Sequence, residues 1–77
     1  MKINLLTFGS FAESIGNAMI DDHLVQDTFS LMSVLTATYP ELTHKKYMLA
    51  VNKNIVQRNT ALHEGDTIAI LPPFSGG

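Results

Sequence analysis

The sequence contains no cysteine, and this absence removes several kinds of function at once. A chain without thiols has no disulfide scaffold, no cysteine nucleophile and no cysteine-ligated zinc or iron–sulfur site. His23, His44 and His63 are too far apart in the sequence to form a metal-binding pair on one helix face. We therefore expect no metal centre in this chain.

Charged residues are also scarce. They make up 16% of the 77 residues, against about a quarter in an average globular protein. Either a partner covers part of the surface, or the surface is rich in uncharged polar side chains. The net charge is −2 and the only basic pair is Lys45-Lys46, so nucleic acid is not an expected partner.

Long apolar runs are missing as well. The N-terminal stretch "MKINLLTFGS" has one lysine and too short an apolar segment for a signal peptide. No other stretch approaches the length needed to span a membrane. The expectation is a cytoplasmic protein without a membrane partner.

The pattern of apolar and turn-forming residues predicts one small domain with two helices and five strands. In the short helix, Ser10 and Glu13 have the spacing of a capping box, and Gly16 suits the left-handed residue that ends a helix. In the long helix, Asp27 or Thr28 is the candidate N-cap, and Pro40 ends it. The predicted strands are residues 2–8, 18–25, 47–52, 55–57 and 67–71, and the predicted helices are residues 10–16 and 29–39.

One face of the long helix is predicted to pack on the sheet. Leu31, Val34, Leu35 and Thr38 recur at helical spacing. A helix crossover between strands permits a parallel pair, while the consecutive strands near the C-terminus can pair as hairpins. The predicted fold is α+β, a ubiquitin-like β-grasp with a mixed sheet packed on one main helix, formed by residues 1–71.

The sequence finishes with "LPPFSGG", in which residues 72–77 form an unusual tail. Pro72 and Pro73 favour the stiff, extended polyproline II form, so six extended residues reach about 20 Å. Gly76 and Gly77 lack Cβ atoms and can enter a narrow slot. Taken alone, a terminal Gly-Gly is also consistent with an unstructured chain end. Behind Pro-Pro and a β-grasp pattern, it favours an extended C-terminal tail whose carboxylate an enzyme can activate.

The stretch "LAVNKNIVQRNTALHEGDTIAILPPFSGG" resembles the C-terminal half of the molybdopterin synthase small subunit, the MoaD family. The shared features are the "AVN" strand and turn, the Leu-x-x-Gly-Asp turn, and Pro-Pro followed by an apolar residue, Ser or Thr, and Gly-Gly. The N-terminal "FAESIG" is similar to a Leu-Arg-Glu-type helix of the family that ends in glycine. Ala12 differs, since many members carry an arginine at this position.

This resemblance implies a ubiquitin-like sulfur carrier. An activating enzyme that uses ATP would adenylate the terminal carboxylate, and a sulfur donor would convert it to a thiocarboxylate. The tail would then enter the large subunit of a heterotetramer and donate sulfur to cyclic pyranopterin monophosphate, forming the molybdopterin dithiolene. The chain itself would bind no cofactor, and the catalytic side chains would belong to the large subunit. On this basis the functional group is Gly77, the presenting residues are Pro72, Pro73, Phe74, Ser75 and Gly76, and the candidate partner interface is Phe8, Leu71 and Phe74.

Two alternatives remain open from the sequence. Sulfur carriers for thiamine synthesis or tRNA thiolation share the terminal Gly-Gly, although they usually lack the Pro-Pro pair. A non-carrier ubiquitin-like binding module or protein modifier would also end in this way. For the interface candidates, Phe8 and Leu71 are equally consistent with ordinary core positions.

Overall fold

The computed structural model describes residues 1–73, which form one mixed β-sheet with a main helix on one face. This architecture confirms the α+β, β-grasp prediction. The order of elements also agrees with the prediction, with one additional turn of 3-10 helix. The elements are β1 (Lys2–Thr7), α1 (Ser10–Ser14), β2 (Ala18–Asp21), α2 (Thr28–Thr38), the 3-10 helix (Pro40–Thr43), β3 (Met48–Val51), β4 (Asn54–Val56) and β5 (Thr67–Leu71).

The five strands lie in the order β2-β1-β5-β3-β4. The first and last strands of the chain, β1 and β5, pair in parallel at the centre, and Leu5 lies opposite Ile68. The other pairs are antiparallel. A parallel pair needs a long connection, and here the connection contains α2 and the β3–β4 hairpin.

The core lies between one face of the sheet and α2. Because side chains alternate along a strand, Ile68 and Ile70 point to the same face, where both are fully buried. Leu31 and Leu35 of α2 cover them and are also fully buried. Phe11 of α1 belongs to the same buried cluster.

The N-terminus of α2 is capped as the sequence predicts. Asp27 is the N-cap, and its Oδ1 accepts a hydrogen bond from the Ser30 backbone amide at 2.8 Å. Ser30 Oγ accepts from the Asp27 amide at 3.0 Å, which completes a capping box. These bonds matter because the Ser, Thr and Val residues of α2 have weak helix propensity.

Two details of α2 differ from the prediction. The helix runs from Thr28 to Thr38, against the predicted 29–39, and Pro40 begins a 3-10 helix that the sequence did not predict. Thr38, predicted on the core face, is exposed. Its hydroxyl donates to the Val34 carbonyl at 3.2 Å, so this polar side chain is satisfied within the helix without packing on the sheet.

The predicted capping box of the short helix is wrong. Gly9, with φ +62°, is the N-cap of α1, and no side chain caps this helix end. The helix ends at Ser14, where its backbone turns into the predicted left-handed Gly16 (φ +78°). Ser10 is already the first residue of the helix, so its side chain is not at the N-cap position, and backbone carbonyls of Phe8 and Gly9 accept from the Phe11 and Ala12 amides. Phe11 of this helix is buried.

The second strand is shorter than predicted, ending at Asp21 instead of Val25. Asp22 Oδ1 accepts a hydrogen bond from the Leu24 amide at 2.7 Å and closes a local turn. This turn directs Val25 into the core, where it is buried. The apolar character of Val25 therefore reflects a core contact of the loop.

The hairpin between β3 and β4 is tight. Asn52 and Lys53 both have positive φ, at 49° and 75°, and form a two-residue turn between paired Val51 and Asn54. The strand predicted over residues 47–52 therefore ends at Val51, and the turn of the "AVN" motif is confirmed at Asn52. Within residues 1–73, no helix has the length and apolar content required to cross a membrane.

Candidate partner-binding site beside the C-terminal tail

The C-terminal tail leaves the sheet at its centre. Strand β5 ends at Leu71, and Pro72 and Pro73 are exposed and belong to no strand. Phe8 follows β1 directly and donates its backbone amide to the Ile70 carbonyl at 3.1 Å. The last residues of β5 before the tail are therefore held against the end of β1. Phe74, Ser75, Gly76 and Gly77 lie outside the described residues.

The connection between β1 and α1 contacts the first proline. A Cβ placed on Gly9 would lie 2.9 Å from Pro72 Cγ, closer than two carbon atoms that are not bonded to each other approach in proteins. Gly9 also has φ +62°, a backbone conformation that other residues rarely adopt. Glycine at this position lets the Pro72 ring pack on the backbone and so helps set the direction in which the tail leaves the domain.

An apolar groove runs along the outer face of the sheet, which α2 does not cover. Leu6, Ala69, Ala50 and Ile55 form one row across four strands, because each pairs with the next in register. The small alanines form the floor, and larger side chains form the walls of a cavity of about 490 Å³. This outer-face groove is lined by Leu6, Phe8, Ala50, Asn52, Lys53, Ile55, Thr67, Ala69 and Leu71.

The structure brings together two of the three candidate interface residues. Phe8 and Leu71 both line the outer-face groove, immediately before the tail. Phe8 is 45% exposed and neither residue belongs to the core cluster, so the core interpretation does not hold for them. Phe74 lies outside the described residues. Leu6 and Ala69 were not singled out in the sequence, although the alternation along β1 and β5 places them on this face.

The carboxylates near the turns have structural contacts. Asp22 accepts from the Leu24 amide, Glu64 Oε1 accepts from the Lys2 amide at 2.9 Å, and Asp66 Oδ2 accepts from the His63 amide at 2.8 Å. Their oxygens therefore stabilise turns and strand ends. Among residues 1–73, no cluster of three His, Asp or Glu side chains is arranged to hold a metal ion.

Asp66 links the turn before β5 to the β3–β4 hairpin. Asn52 Nδ2 donates to Asp66 Oδ1 at 2.9 Å, and the Thr67 amide donates to Asn52 Oδ1 at 2.9 Å. The hydrogen bond from Asn52, followed by the bond from the His63 amide, lowers the pKa of Asp66 below its ordinary value of 3.8. This carboxylate is thus held ionised, which suits a structural acceptor and not a general acid.

Fold and groove together define a ubiquitin-like β-grasp domain with a C-terminal tail beside an exposed apolar surface. Comparison with known proteins agrees with this class. The sequence profile of the ThiS family matches residues 5–77, which is nearly the whole chain. The chain therefore belongs to the ThiS family.

Two similar proteins within reach of a sequence comparison carry the same name. The molybdopterin synthase sulfur carrier subunit of Mycobacterium tuberculosis is 32% identical over an alignment 82 positions long, covering 100% of this chain and 99% of the relative. The protein of the same name from Dictyostelium discoideum is 35% identical, covering 99% and 96%. The predicted resemblance to the MoaD family of ubiquitin-like sulfur carriers is confirmed.

Solved structures agree with the fold. A complex of subunits 1 and 2 of molybdopterin-converting factor from Helicobacter pylori contains a chain that is 28% identical, with a TM-score of 0.76 and full coverage of both chains. A putative molybdopterin converting factor subunit 1 from Pyrococcus furiosus has a TM-score of 0.82 at 16% identity, covering 95% of this chain and 98% of that one. At this identity the second likeness concerns the fold alone.

Proposed function

We propose that this chain is the sulfur-carrier small subunit of molybdopterin synthase. The observation that carries the proposal is the family match through residue 77, together with two curated relatives of that name. In the proposed cycle, the Gly77 carboxylate attacks ATP held by an activating enzyme, and pyrophosphate leaves. Hydrosulfide-level sulfur from a donor then attacks the acyl-adenylate and AMP leaves, which gives a thiocarboxylate. Its sulfur bonds to cyclic pyranopterin monophosphate on the way to the dithiolene, and water then hydrolyses the acyl–sulfur bond and restores the Gly77 carboxylate.

The composition of the chain is consistent with a carrier that has no catalytic side chain of its own. With no cysteine, sulfur cannot be carried on a thiol of this chain, and the proposal assigns it to the carboxylate of Gly77. Pro72 and Pro73 stiffen the start of the tail. Phe74, Ser75 and Gly76 then present Gly77 to the partner, which supplies the general acids and bases.

The partner in this proposal is the large subunit, in a heterotetramer of two small and two large subunits. Support comes from the Helicobacter pylori relative, which was solved as a complex of two subunits of molybdopterin-converting factor. The outer-face groove is the proposed contact, since it is apolar and lies beside the tail. We place the reaction in the cytoplasm, where ATP is available to the activating enzyme.

The carrier step is tested by the intact mass of the chain after incubation with ATP, an activating enzyme and a sulfur donor. We expect a mass gain equal to the exchange of one oxygen for one sulfur. A chain lacking Gly77 is the matched control and should show no gain. If the full chain also gains nothing while the enzyme loads another carrier, the proposal fails for this pairing.

The same samples separate the alternatives. A loaded chain that supplies sulfur to tRNA or thiamine precursors, and not to the pterin, would assign it to another thiolation pathway. Isopeptide-linked conjugates through Gly77 would indicate a protein modifier. Neither thiocarboxylate nor conjugate would leave a binding module.

The proposed contact with the large subunit is tested by replacing Phe8 with aspartate. A charge in an apolar interface is left without solvation, so Phe8→Asp should weaken binding at least tenfold, about 1.4 kcal/mol. Met19→Asp is the matched control, because Met19 is 63% exposed and does not line the groove. Equal binding by both variants would place the interface elsewhere. A parallel Phe74→Ala variant tests the third predicted interface residue.

A further inference from the structure

A second groove lies on the helix face of the sheet, between α2 and the β3–β4 hairpin. Its volume is about 560 Å³. The α2 wall is a stripe formed by Phe29, Met32, Ser33 and Thr36, whose spacing places them on one face of the helix. Phe29 is 69% exposed, the largest exposed fraction of any large apolar side chain in residues 1–73. We call this cavity the α2–β4 groove.

The opposite wall comes from the hairpin. Leu49 and Val56 pair with each other and face the helix side of the sheet, where both are partly buried. Tyr47 lies just before β3, and Arg58 lies just after β4. Both also line the α2–β4 groove. The groove thus combines an apolar floor with a cation at its rim, and none of its lining residues is acidic.

Strand β4 leaves one side of its backbone without a strand neighbour among the described residues. It is the last strand in the order and pairs only with β3. Such an edge can accept an extended chain as an additional strand, with main-chain hydrogen bonds supplying affinity and side-chain pockets supplying specificity. Here the α2–β4 groove lies directly beside that edge and would take the side chains of the added strand.

Charge is strongly segregated around this edge. Residues 42–63 contain Lys45, Lys46, Lys53 and Arg58, four of the five cations, and no Asp or Glu. The segment has a formal charge of +4, whereas the rest of the chain, with all seven acidic residues, has −6. Lys45 and Lys46 directly precede the groove residue Tyr47, and Lys53 directly precedes β4.

We propose that the α2–β4 groove binds an extended peptide segment of a partner protein, with apolar residues at its centre and Asp or Glu residues at its flanks. The apolar residues would face Phe29 and Met32 while the backbone pairs with β4. The acidic flanks would face Arg58, the cation that lines the groove, and the Lys45-Lys46 pair beside Tyr47, of which Lys45 holds its Nζ 5.7 Å from the centroid of the Phe11 ring. This surface is distinct from the outer-face groove, although Ile55 borders both.

Nucleic acid is a poorer match for the same surface. Arg58 is the one cation among the residues that line the groove, so the groove would neutralise few phosphates, and the chain carries a net charge of −2. A second copy of the chain that paired through its own β4 edge would bring the same cations, because residues 42–63 contain no Asp or Glu. An extended, acidic-flanked peptide fits both the apolar floor and the charged rim.

The test is a titration of the full, isotope-labelled chain with a synthetic peptide of about twelve residues, long enough to exceed the strand edge. The peptide has four Val or Ile residues with Asp and Glu on both sides. A lysine-flanked peptide and one with Ser in place of Val and Ile serve as comparisons. We expect the acidic apolar peptide to bind at least tenfold more tightly than either, with amide shifts at Phe29, Tyr47 and Arg58, and to weaken as salt is raised.

Two variants and two matched controls sharpen the test. Phe29→Ala removes the exposed ring of the groove, and Arg58→Glu reverses the charge at its rim, so each should weaken binding at least fivefold. Met19→Ala and Lys2→Glu make the same kinds of change at exposed residues outside the groove and should not alter binding. Because all four side chains are exposed, these variants should retain the fold.

Several outcomes would overturn the proposal. These are no binding of the acidic apolar peptide at about 1 mM, equal binding of the lysine-flanked peptide, or amide shifts at Phe8 and Leu71 in place of the α2–β4 groove. Tighter binding of a single-stranded oligonucleotide would assign the surface to nucleic acid. Shifts at Phe29 that depend on chain concentration without peptide would assign it to self-association.

Discussion

At the scale of single residues, Gly9 connects the backbone of the domain to the start of the tail. Its positive φ and its contact with Pro72 both require the absence of a Cβ atom. Gly65 has a similar φ of +85°, yet nothing lies within 4 Å of a Cβ built there. Gly9 also has ψ −139°, outside the left-handed helical region, so a variant that removes the Pro72 ring is needed to separate its backbone strain from its contact with the tail.

We predict that Gly9→Ala lowers the free energy of unfolding more than Gly65→Ala does. Strain should cost about 1–2 kcal/mol for a positive φ and up to about 3 kcal/mol in the sparsely populated region that Gly9 occupies, and the clash with Pro72 adds to it only at Gly9. Urea denaturation of both variants measures the difference. Adding Pro72→Ala to Gly9→Ala should recover part of the loss. Equal losses, or no recovery in the double variant, would show that the Pro72 contact is not required.

Two carboxylates at the residue scale set the response of the fold to acid. Asp27 accepts hydrogen bonds from the Ser30 backbone amide, the Ser30 hydroxyl and the Asn59 side-chain amide, in decreasing order of effect. These bonds lower the pKa of Asp27 below 3.8. The pKa of Asp66 is lowered chiefly by Asn52. A carboxylate whose pKa is depressed by folding stabilises the fold above its unfolded pKa, and this contribution disappears as pH falls through the folded pKa.

We therefore predict that the free energy of unfolding falls as pH drops below 3.8, and that Asp66→Asn makes this fall less steep. Denaturation curves from neutral pH to strong acid provide the measurement. Asp21→Asn is a suitable control, since Asp21 is exposed at the end of β2. An acid limb of the same slope in wild type and Asp66→Asn would refute the role of the Asn52 contact.

At the scale of elements, α2 depends on packing more than on its own propensity. Leu31 and Leu35 are fully buried against the sheet, whereas Thr38, predicted on the same face, is exposed. A helix of this composition would be marginal by itself. Its stability should therefore follow the residues that contact β5 and not the polar residues in its last turn.

This difference predicts that Leu35→Ala costs about 2–5 kcal/mol in the free energy of unfolding. Thr38→Ala should change it by less than about 0.5 kcal/mol. Thermal and urea denaturation of the two variants provide the comparison. A large loss from Thr38→Ala would mean that its bond to the Val34 carbonyl, and not core packing, holds the end of the helix.

The short elements were harder to predict than the long ones. Strand β5 and the Asp27 cap of α2 follow from local patterns, alternation in one case and cap spacing in the other. The ends of α1 and β2 do not, because Phe11 and Val25 are placed by burial against distant strands. A local pattern cannot distinguish an apolar residue in a strand from one in a loop that enters the core.

At the scale of the whole molecule, the core and the proposed carrier group are separate. Among residues 1–73, the buried apolar residues all lie between Ile3 and Ile70, whereas the proposed function depends on residues 72–77. Removing the end of the tail should therefore affect sulfur loading without affecting the fold. This expectation corresponds to the predicted division into a domain of residues 1–71 and a tail of residues 72–77.

We predict that a chain truncated after Pro73 keeps its free energy of unfolding to within about 0.5 kcal/mol and forms no thiocarboxylate. A chain truncated after Ile68 serves as the contrasting control, because it loses the buried Ile70 and the rest of β5. Urea denaturation and intact mass are measured on the same preparations. A truncation after Pro73 that unfolds at markedly lower urea would show that the tail contributes to the fold.

Much of this protein follows from its sequence alone, because the responsible interactions are local. Alternation defines β5, the capping residues define α2, and Pro72-Pro73 ends the last strand, while the motif of residues 72–77 directs the proposal of a carrier. The binding surfaces arise differently. Leu6 and Ala69 meet only because strands more than sixty residues apart pair in parallel, and Phe29 and Arg58 share a groove only because α2 crosses the sheet beside β4. Such contacts depend on strand order and helix packing, and these are properties of the folded chain.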